Sequence, residues 1–190
     1  PRYSSSAASD VYKRQGDINT KDDMTDIEVA TLGYGYGLTA SPFQIAQAYA
    51  VFANEGIYHD YQLVLDERSS QYHAPIISKQ TADDVLTALY SVTTDGTGKL
   101  ANVKGFSIAG KTGTTEKLQG GNYKSSTYAS SFVGIGPDQG NTITIFVNID
   151  NLGANRYSGG QVAAPLFQKI ATDVSVSYTH LTLPTKSSVW

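Results

Sequence analysis

The chain reads as an α+β domain in which helices pack on an antiparallel sheet of about three strands. Two stretches before Gly98 carry apolar residues at three- and four-residue spacing, and between Phe106 and Ile149 the period falls to two. From Val162 it becomes helical again. Helices and strands therefore come in runs rather than in alternation, which argues against a parallel βαβ architecture.

The first helix is expected from Pro42 to Asn54. Ser41 is a good N-cap, and Pro42 suits the first helical position, where a missing N–H does no harm. Phe43, Ala46, Ala50 and Ala53 make its stripe, widened by Ile45, Tyr49 and Phe52, and Gly56 supplies a stop. A second helix is expected from Lys79 to Thr93, capped by Ser78 and faced by Ala82, Val85, Leu86 and Leu89. Asp95-Gly96-Thr97-Gly98 ends it. A strand follows, with Phe106, Ile108 and Gly110 alternating with Ser107 and Ala109 and leading into Lys111-Thr112-Gly113. Glu116–Ser126 is polar and glycine-containing, so it reads as a loop. Tyr128–Ile135 and Thr142–Ile149 read as two strands of a hairpin joined by the turn residues Pro137-Asp138-Gln139-Gly140. The last helix is expected over Val162–Val174, with Pro165 tolerated in its first turn. No internal repeat is visible.

Both ends differ in character from the middle. Residues 1–15 and 175–190 are rich in Ser and Thr, lack a lasting apolar period and resemble translated sequencing-adapter read-through. They are set aside as non-native or disordered tails, leaving residues 16–174 as the folded portion. The 190 residues suffice for one domain with a real core. A net charge of −3 with no basic run gives nothing to pair with phosphates, so no nucleic-acid or membrane-surface partner is expected. The 13 tyrosines read as packing residues rather than a base-stacking platform, because no basic side chains accompany them. There is no cysteine, which excludes disulfides and thiol chemistry. No window approaches the roughly 18 consecutive apolar residues of a membrane helix, and Pro1-Arg2-Tyr3-Ser4 lacks the layout of a signal peptide. His59, His73 and His180 show no ligand spacing with each other or with carboxylates, so neither a metal nor a cofactor is expected.

The chemistry-bearing stretch is Gly105–Thr115. Gly105-Phe-Ser-Ile-Ala-Gly110-Lys111-Thr112 matches the phosphate-loop pattern G-x-x-x-x-G-K-[ST], and Ile143–Asp150 could pass for the apolar strand that ends in a Mg²⁺-holding Asp. A nucleotide-hydrolysing reading needs a helix beginning at the Lys, yet Gly113–Gly121 has no helical apolar face. Gly33-Tyr-Gly-Tyr-Gly37 lacks dinucleotide spacing and reads as a Gly-rich turn. The alternative is a Lys-Thr-Gly strand, one of three motifs that build the acyl-transfer site of penicillin-binding proteins and serine β-lactamases.

The flanking residues favour the second reading. Gly35-Tyr36-Gly37, Thr39–Ala50 with Ser41-Pro42 and Gln44, and Phe52–Gly56 come first. Thr94–Gly98, Gly110–Thr114, Ser131–Gly134 with Pro137, Tyr157–Gly160 and Ala163–Phe167 follow in order. Over about residues 16–174 this set resembles the C-terminal half of a class B penicillin-binding protein transpeptidase domain. The resemblance implies a partial penicillin-binding-protein/serine β-lactamase-like fold and a parent D,D-transpeptidase that crosslinks peptidoglycan stem peptides through an acyl-serine. It implies substrates ending in D-Ala-D-Ala, inhibition by β-lactams and no cofactor. It also implies a membrane glycosyltransferase as working partner and an extracytoplasmic location, anchored by an N-terminal helix outside this chain. By the same resemblance, Lys111 supplies positive potential for the substrate's terminal carboxylate. Thr112 and Thr114 offer hydroxyls, Gly113 lets peptide lie along the strand, and the Thr114 N–H forms half of an oxyanion hole.

The family's other two motifs, Ser-x-x-Lys and Ser-x-Asn, do not occur in these residues. Thr114-Thr-Glu-Lys117 has the first spacing but falls after the Lys-Thr-Gly. The chain is therefore expected to be a truncated, inactive piece without its nucleophile, to form no penicilloyl adduct, and to be poorly soluble through an open edge on Thr142–Ile149. A β-lactam sensor or binding domain is the other reading the same blocks allow, and the Gly35–Pro42 and Tyr157–Gly160 blocks favour the transpeptidase.

Overall fold

The computed structural model describes residues 16, 24–35, 37–60, 73–117, 127–136 and 142–181. The element order is α1 (Asp26–Leu32), α2 (Pro42–Ala53), β1 (Ile57–His59), β2 (His73–Pro75) and α3 (Lys79–Thr94). A 3₁₀ turn (Lys99–Ala101), β3 (Ala109–Glu116), β4 (Thr127–Gly136), β5 (Ile143–Gly153) and α4 (Gly159–Leu181) follow. The class is α+β, as expected, with one more helix and a two-stranded ribbon at the N-terminal side.

Helix α1 escaped the apolar pattern because it buries nothing, yet its start is written in the sequence. Thr25 and Glu28 form a capping box, in which the Thr25 amide donates to Glu28 Oε2 at 2.8 Å. Helix α2 begins as predicted. The Ser41 amide donates to Gln44 Oε1 at 2.8 Å and the Gln44 amide to Ser41 Oγ at 3.2 Å, with Pro42 at the first position. It ends in a turn through Glu55 and Gly56, both at positive φ. At Gly56 a Cβ would also overlap the Ile77 carbonyl, so the turn that feeds β1 needs glycine twice over. Ser78 caps α3 through the Thr81 amide at 3.1 Å.

The main sheet is antiparallel, in the order β3-β4-β5. Strand β4 lies in the middle and buries Phe132, Val133 and Ile135. Helix α4 covers one face, where Phe167 packs on Phe132 with ring centroids 4.8 Å apart among Val147, Ala163, Ala164 and Ala171. Helices α2 and α3 cover the other face, where Leu89, Ala109 and Ile135 pack with Tyr49, Phe52, Val85 and Leu86. The sheet is thus the middle of three layers. Thr93 ties α3 to the strand entry, its buried hydroxyl donating to the Ile108 carbonyl.

Several boundaries differ from expectation. The Lys-Thr-Gly strand starts at Ala109 rather than Phe106, because Gly105 sits at φ 88° in a turn closed by the Phe106 amide on the Val103 carbonyl at 3.1 Å. Phe106 and Ile108 still join the core under α4, but from irregular backbone. The same strand runs on through Glu116, which was expected in the following loop. Most of that loop, residues 118–126, and the hairpin turn at 137–141 lie outside the described residues. Strand β5 extends past Ile149 to Gly153 and is an outer strand of the described sheet, its Ile143 and Ile145 half-buried.

Helix α4 begins at Gly159 and runs to Leu181, beyond the expected Val162–Val174 and into the segment set aside as a tail. The longer start moves Pro165 from the first turn into the helix interior, where its missing N–H leaves the Gln161 carbonyl without a helical donor. Gln161 is exposed there. Residues 1–15 and 182–190 lie outside the described residues. No helix among the described residues is long and apolar enough to cross a membrane.

Candidate active site

Strand β3 carries Lys111-Thr112-Gly113-Thr114 in its middle, pairs with β4 on one side and has no strand on its other side among the described residues. Strand alternation divides the four residues between two faces. Ala109 packs under α3, so Lys111 and Gly113 follow it on that face. Gly110, Thr112 and Thr114 face α4, with Gly110 lying against the Phe132 ring.

Lys111 is exposed, and its Nζ donates to the Thr112 carbonyl at 2.9 Å. No carboxylate pairs with it among the described residues. It is therefore a cation laid along the rim of an outer strand. Gly113 lies opposite Ser131, and a Cβ on Gly113 would overlap the Ser131 hydroxyl, so glycine leaves that face of the strand pair open for the serine side chain.

The two threonine hydroxyls already have protein partners. Thr112 Oγ1 lies 2.8 Å from Thr97 Oγ1, and Thr114 Oγ1 accepts from the Gly159 amide at 3.0 Å. The start of α4 thus presses on the strand. A Cβ at Gly159 would come within 2.5 Å of the Gly113 carbonyl oxygen and 2.7 Å of the Ser131 carbonyl oxygen. Ser130 donates its hydroxyl to the Tyr157 carbonyl, and the Tyr157 ring stacks on Tyr128 with centroids 4.1 Å apart. The partially positive N-terminus of α4 is directed at Thr114. A hydroxyl that accepts one bond keeps its own proton to donate, so Thr114 remains able to bind an acceptor.

Sequence reasoning placed the four motif residues on one strand, and the structure agrees. It missed Thr97 and Gly159 as the residues that orient the threonines. Their signal lies in the Thr94–Gly98 and Tyr157–Gly160 blocks, to which the resemblance attaches no catalytic role.

Two other readings of this stretch fail on geometry. A phosphate loop requires Lys111 and Thr112 at a helix start, and both lie inside an antiparallel strand. The Thr114-x-x-Lys117 spacing does not pair a hydroxyl with an amine. Lys117 Nζ turns to Asp150 Oδ2 at 2.7 Å and Asn151 Oδ1 at 3.0 Å, while Thr114 turns to Gly159.

Comparison with known proteins agrees with this geometry. The family model described as the penicillin binding protein transpeptidase domain matches residues 4–172. The chain is 38% identical over 149 residues to the "Probable peptidoglycan D,D-transpeptidase PenA" of Neisseria flavescens, covering 76% of this chain and 36% of that protein. It is 31% identical over 166 residues to the peptidoglycan D,D-transpeptidase FtsI of Buchnera aphidicola, covering 84% and 29%. Among solved structures, the apo transpeptidase domain of Burkholderia pseudomallei penicillin-binding protein 3 superposes with a TM-score of 0.75 at 32% identity, covering 90% of this chain and 51% of that one. The chain spans about a third of the length of these curated relatives. The match over most of its residues, together with a Lys-Thr-Gly on the outer strand of an antiparallel sheet between helical layers, shows that the chain belongs to the penicillin-binding protein transpeptidase domain family.

Proposed function

We propose that this chain supplies the substrate-binding wall of a peptidoglycan D,D-transpeptidase. The observation that carries the reading is the unpaired outer edge of β3, with the exposed Lys111 ammonium on it and no carboxylate to neutralise it among the described residues. A stem peptide ending in D-Ala-D-Ala is an extended chain with a terminal carboxylate. Strand addition along an open edge holds such a chain by backbone hydrogen bonds, and Lys111 supplies the charge that its carboxylate seeks. Thr114 donates its hydroxyl to that carboxylate, while Thr112, held by Thr97, keeps the strand in shape.

In the parent protein, a serine attacks the penultimate D-Ala carbonyl and releases the terminal D-Ala. The Thr114 N–H contributes half of the oxyanion hole, and an amine from a second stem peptide then takes the acyl group. A β-lactam presents a carboxylate and a reactive carbonyl in a similar arrangement and blocks the site by the same acylation. The serine must come from outside these residues, because no Ser-x-x-Lys occurs among them. We place the parent outside the cytoplasmic membrane, working with a glycosyltransferase that builds the strands it crosslinks.

Backbone amide NMR tests this wall directly. Titration with a D-Ala-D-Ala-terminated peptide should shift amides within Lys111–Glu116, and Lys111→Ala should abolish the shifts. Equal shifts in the variant, or shifts confined to another surface, would overturn the reading.

A further inference from the structure

The ribbon β1–β2 brings together two histidines that sequence spacing keeps apart. His59 and His73 are direct register partners across the antiparallel pair. Both point outward, with Tyr58 and Ala74 between them and their neighbours on the inner side. Their ring centroids are 4.6 Å apart, edge to face at 64°. The ribbon is anchored at two points. The Gln47 side chain of α2 donates to the His59 carbonyl at 3.1 Å, and the Ile76 amide that follows β2 donates to the Gly56 carbonyl at 2.9 Å.

Those distances suit shared coordination. A first-row metal sits about 2.0–2.1 Å from each imidazole nitrogen, and the nitrogen lies about 1.15 Å from its ring centre. Two imidazoles on one ion at angles of about 90–110° therefore have centroids about 4.5–5.2 Å apart. The observed separation falls inside that window, and the torsion that would turn the ring nitrogens toward one ion, χ2, is a soft one for histidine. No group of three or more His, Asp or Glu converges among the described residues, so water or an external ligand fills the remaining positions. Imidazole favours the late first-row divalent ions over Mg²⁺ and Ca²⁺.

We propose that His59 and His73 form a two-imidazole site for a late first-row divalent cation, such as Zn²⁺, that clips β1 to β2. The spacing of 14 positions hid this pair, because only the strand register makes them neighbours.

Calorimetric titration of the 190-residue chain with zinc chloride tests it. One ion should bind per chain, and His59→Ala and His73→Ala should each weaken binding at least about tenfold, the scale on which even second-shell losses act. His180→Ala should leave it unchanged. In the unsubstituted chain, zinc should shift the ring resonances of two of the three histidines, a reading independent of how any variant folds. No heat at millimolar zinc, unchanged affinity in both alanine variants, or a shift confined to His180 would overturn the proposal.

Discussion

The Gly159 amide donates to the Thr114 hydroxyl at 3.0 Å, which fastens the first residue of α4 to the strand that carries Lys111 across 45 positions of sequence. The bond does two things at once. It satisfies one of the four free amides at the helix start, and it fixes the rotamer of a threonine that the proposed site uses. Thr114→Val should therefore lower stability by about 1 kcal/mol, because a half-buried amide loses its acceptor, whereas Thr114→Ser should keep most of it. Urea unfolding midpoints measure both, and equal midpoints for the two variants would show that the bond carries no weight.

Gly159 itself is held by close approach. A Cβ there meets two backbone carbonyl oxygens, neither of which can turn aside as a side-chain tip can. Gly159→Ala should destabilise by about 1–3 kcal/mol, the usual cost of overpacking. Gly153, where a Cβ meets nothing within 4 Å, is the matched control, and Gly153→Ala should be close to neutral. Thermal unfolding of the two variants decides the matter, and equal transitions would contradict the packing.

At Gly113 the obstacle is a hydroxyl, so the effect should be conditional. Gly113→Ala clashes with Ser131 Oγ, and Ser131→Ala removes that atom. A double-mutant cycle should show positive coupling, with the pair more stable than the sum of the single losses by about 0.5–2 kcal/mol. Additive losses would mean that the strand absorbs the methyl group elsewhere.

How much of this could be read beforehand depended on whether the cause was local. Ser41-Pro42 and Ser78 wrote the starts of α2 and α3 because a cap acts within one turn. The alternation of Ile143, Ile145, Val147 and Ile149 wrote β5 because its period is set by the pleat. Thr25 and Glu28 also wrote a helix start, but without an apolar face behind them it went unread. The ribbon of β1 and β2 has three residues in each strand, too few for a period to show. In the site, the strand position of Lys111 was legible. The hydroxyl partners Thr97 and Gly159 were not, since they depend on how α4 and the loop after α3 dock on the sheet. The helical extension through Leu181 overrode a Ser/Thr-rich composition that argues against helix.

Across the sheet, Lys117, the residue that follows β3, reaches Asp150 on β5. The hydrogen bond from Lys117 holds the Asp150 carboxyl below the usual carboxylate range, and the Asn151 backbone adds to it. A depressed folded value means that the bridge contributes fully above the pH at which free aspartate titrates, about 4, and is lost as pH falls through the lower folded value. Carbon-13 titration of the Asp150 carboxyl should show that lower midpoint, and Lys117→Met should move it upward. An unmoved midpoint would mean that Lys117 is not the cause.

The central claim is that this chain holds the Lys-Thr-Gly wall of an acyl-transfer site whose serine lies outside it. Its most direct test is fluorescent-penicillin labelling of two proteins. One is the chain itself. The other is a chimera in which residues 16–174 replace the matching half of the Burkholderia pseudomallei penicillin-binding protein 3 transpeptidase domain. The account predicts no denaturation-resistant label on the chain, a stable label on the chimera, and labelling by the Lys111→Ala chimera slower by about a hundredfold, the scale of one lost electrostatic contact to the reacting complex. A stable label on the isolated chain, or a Lys111→Ala chimera that labels at the unsubstituted rate, would contradict it.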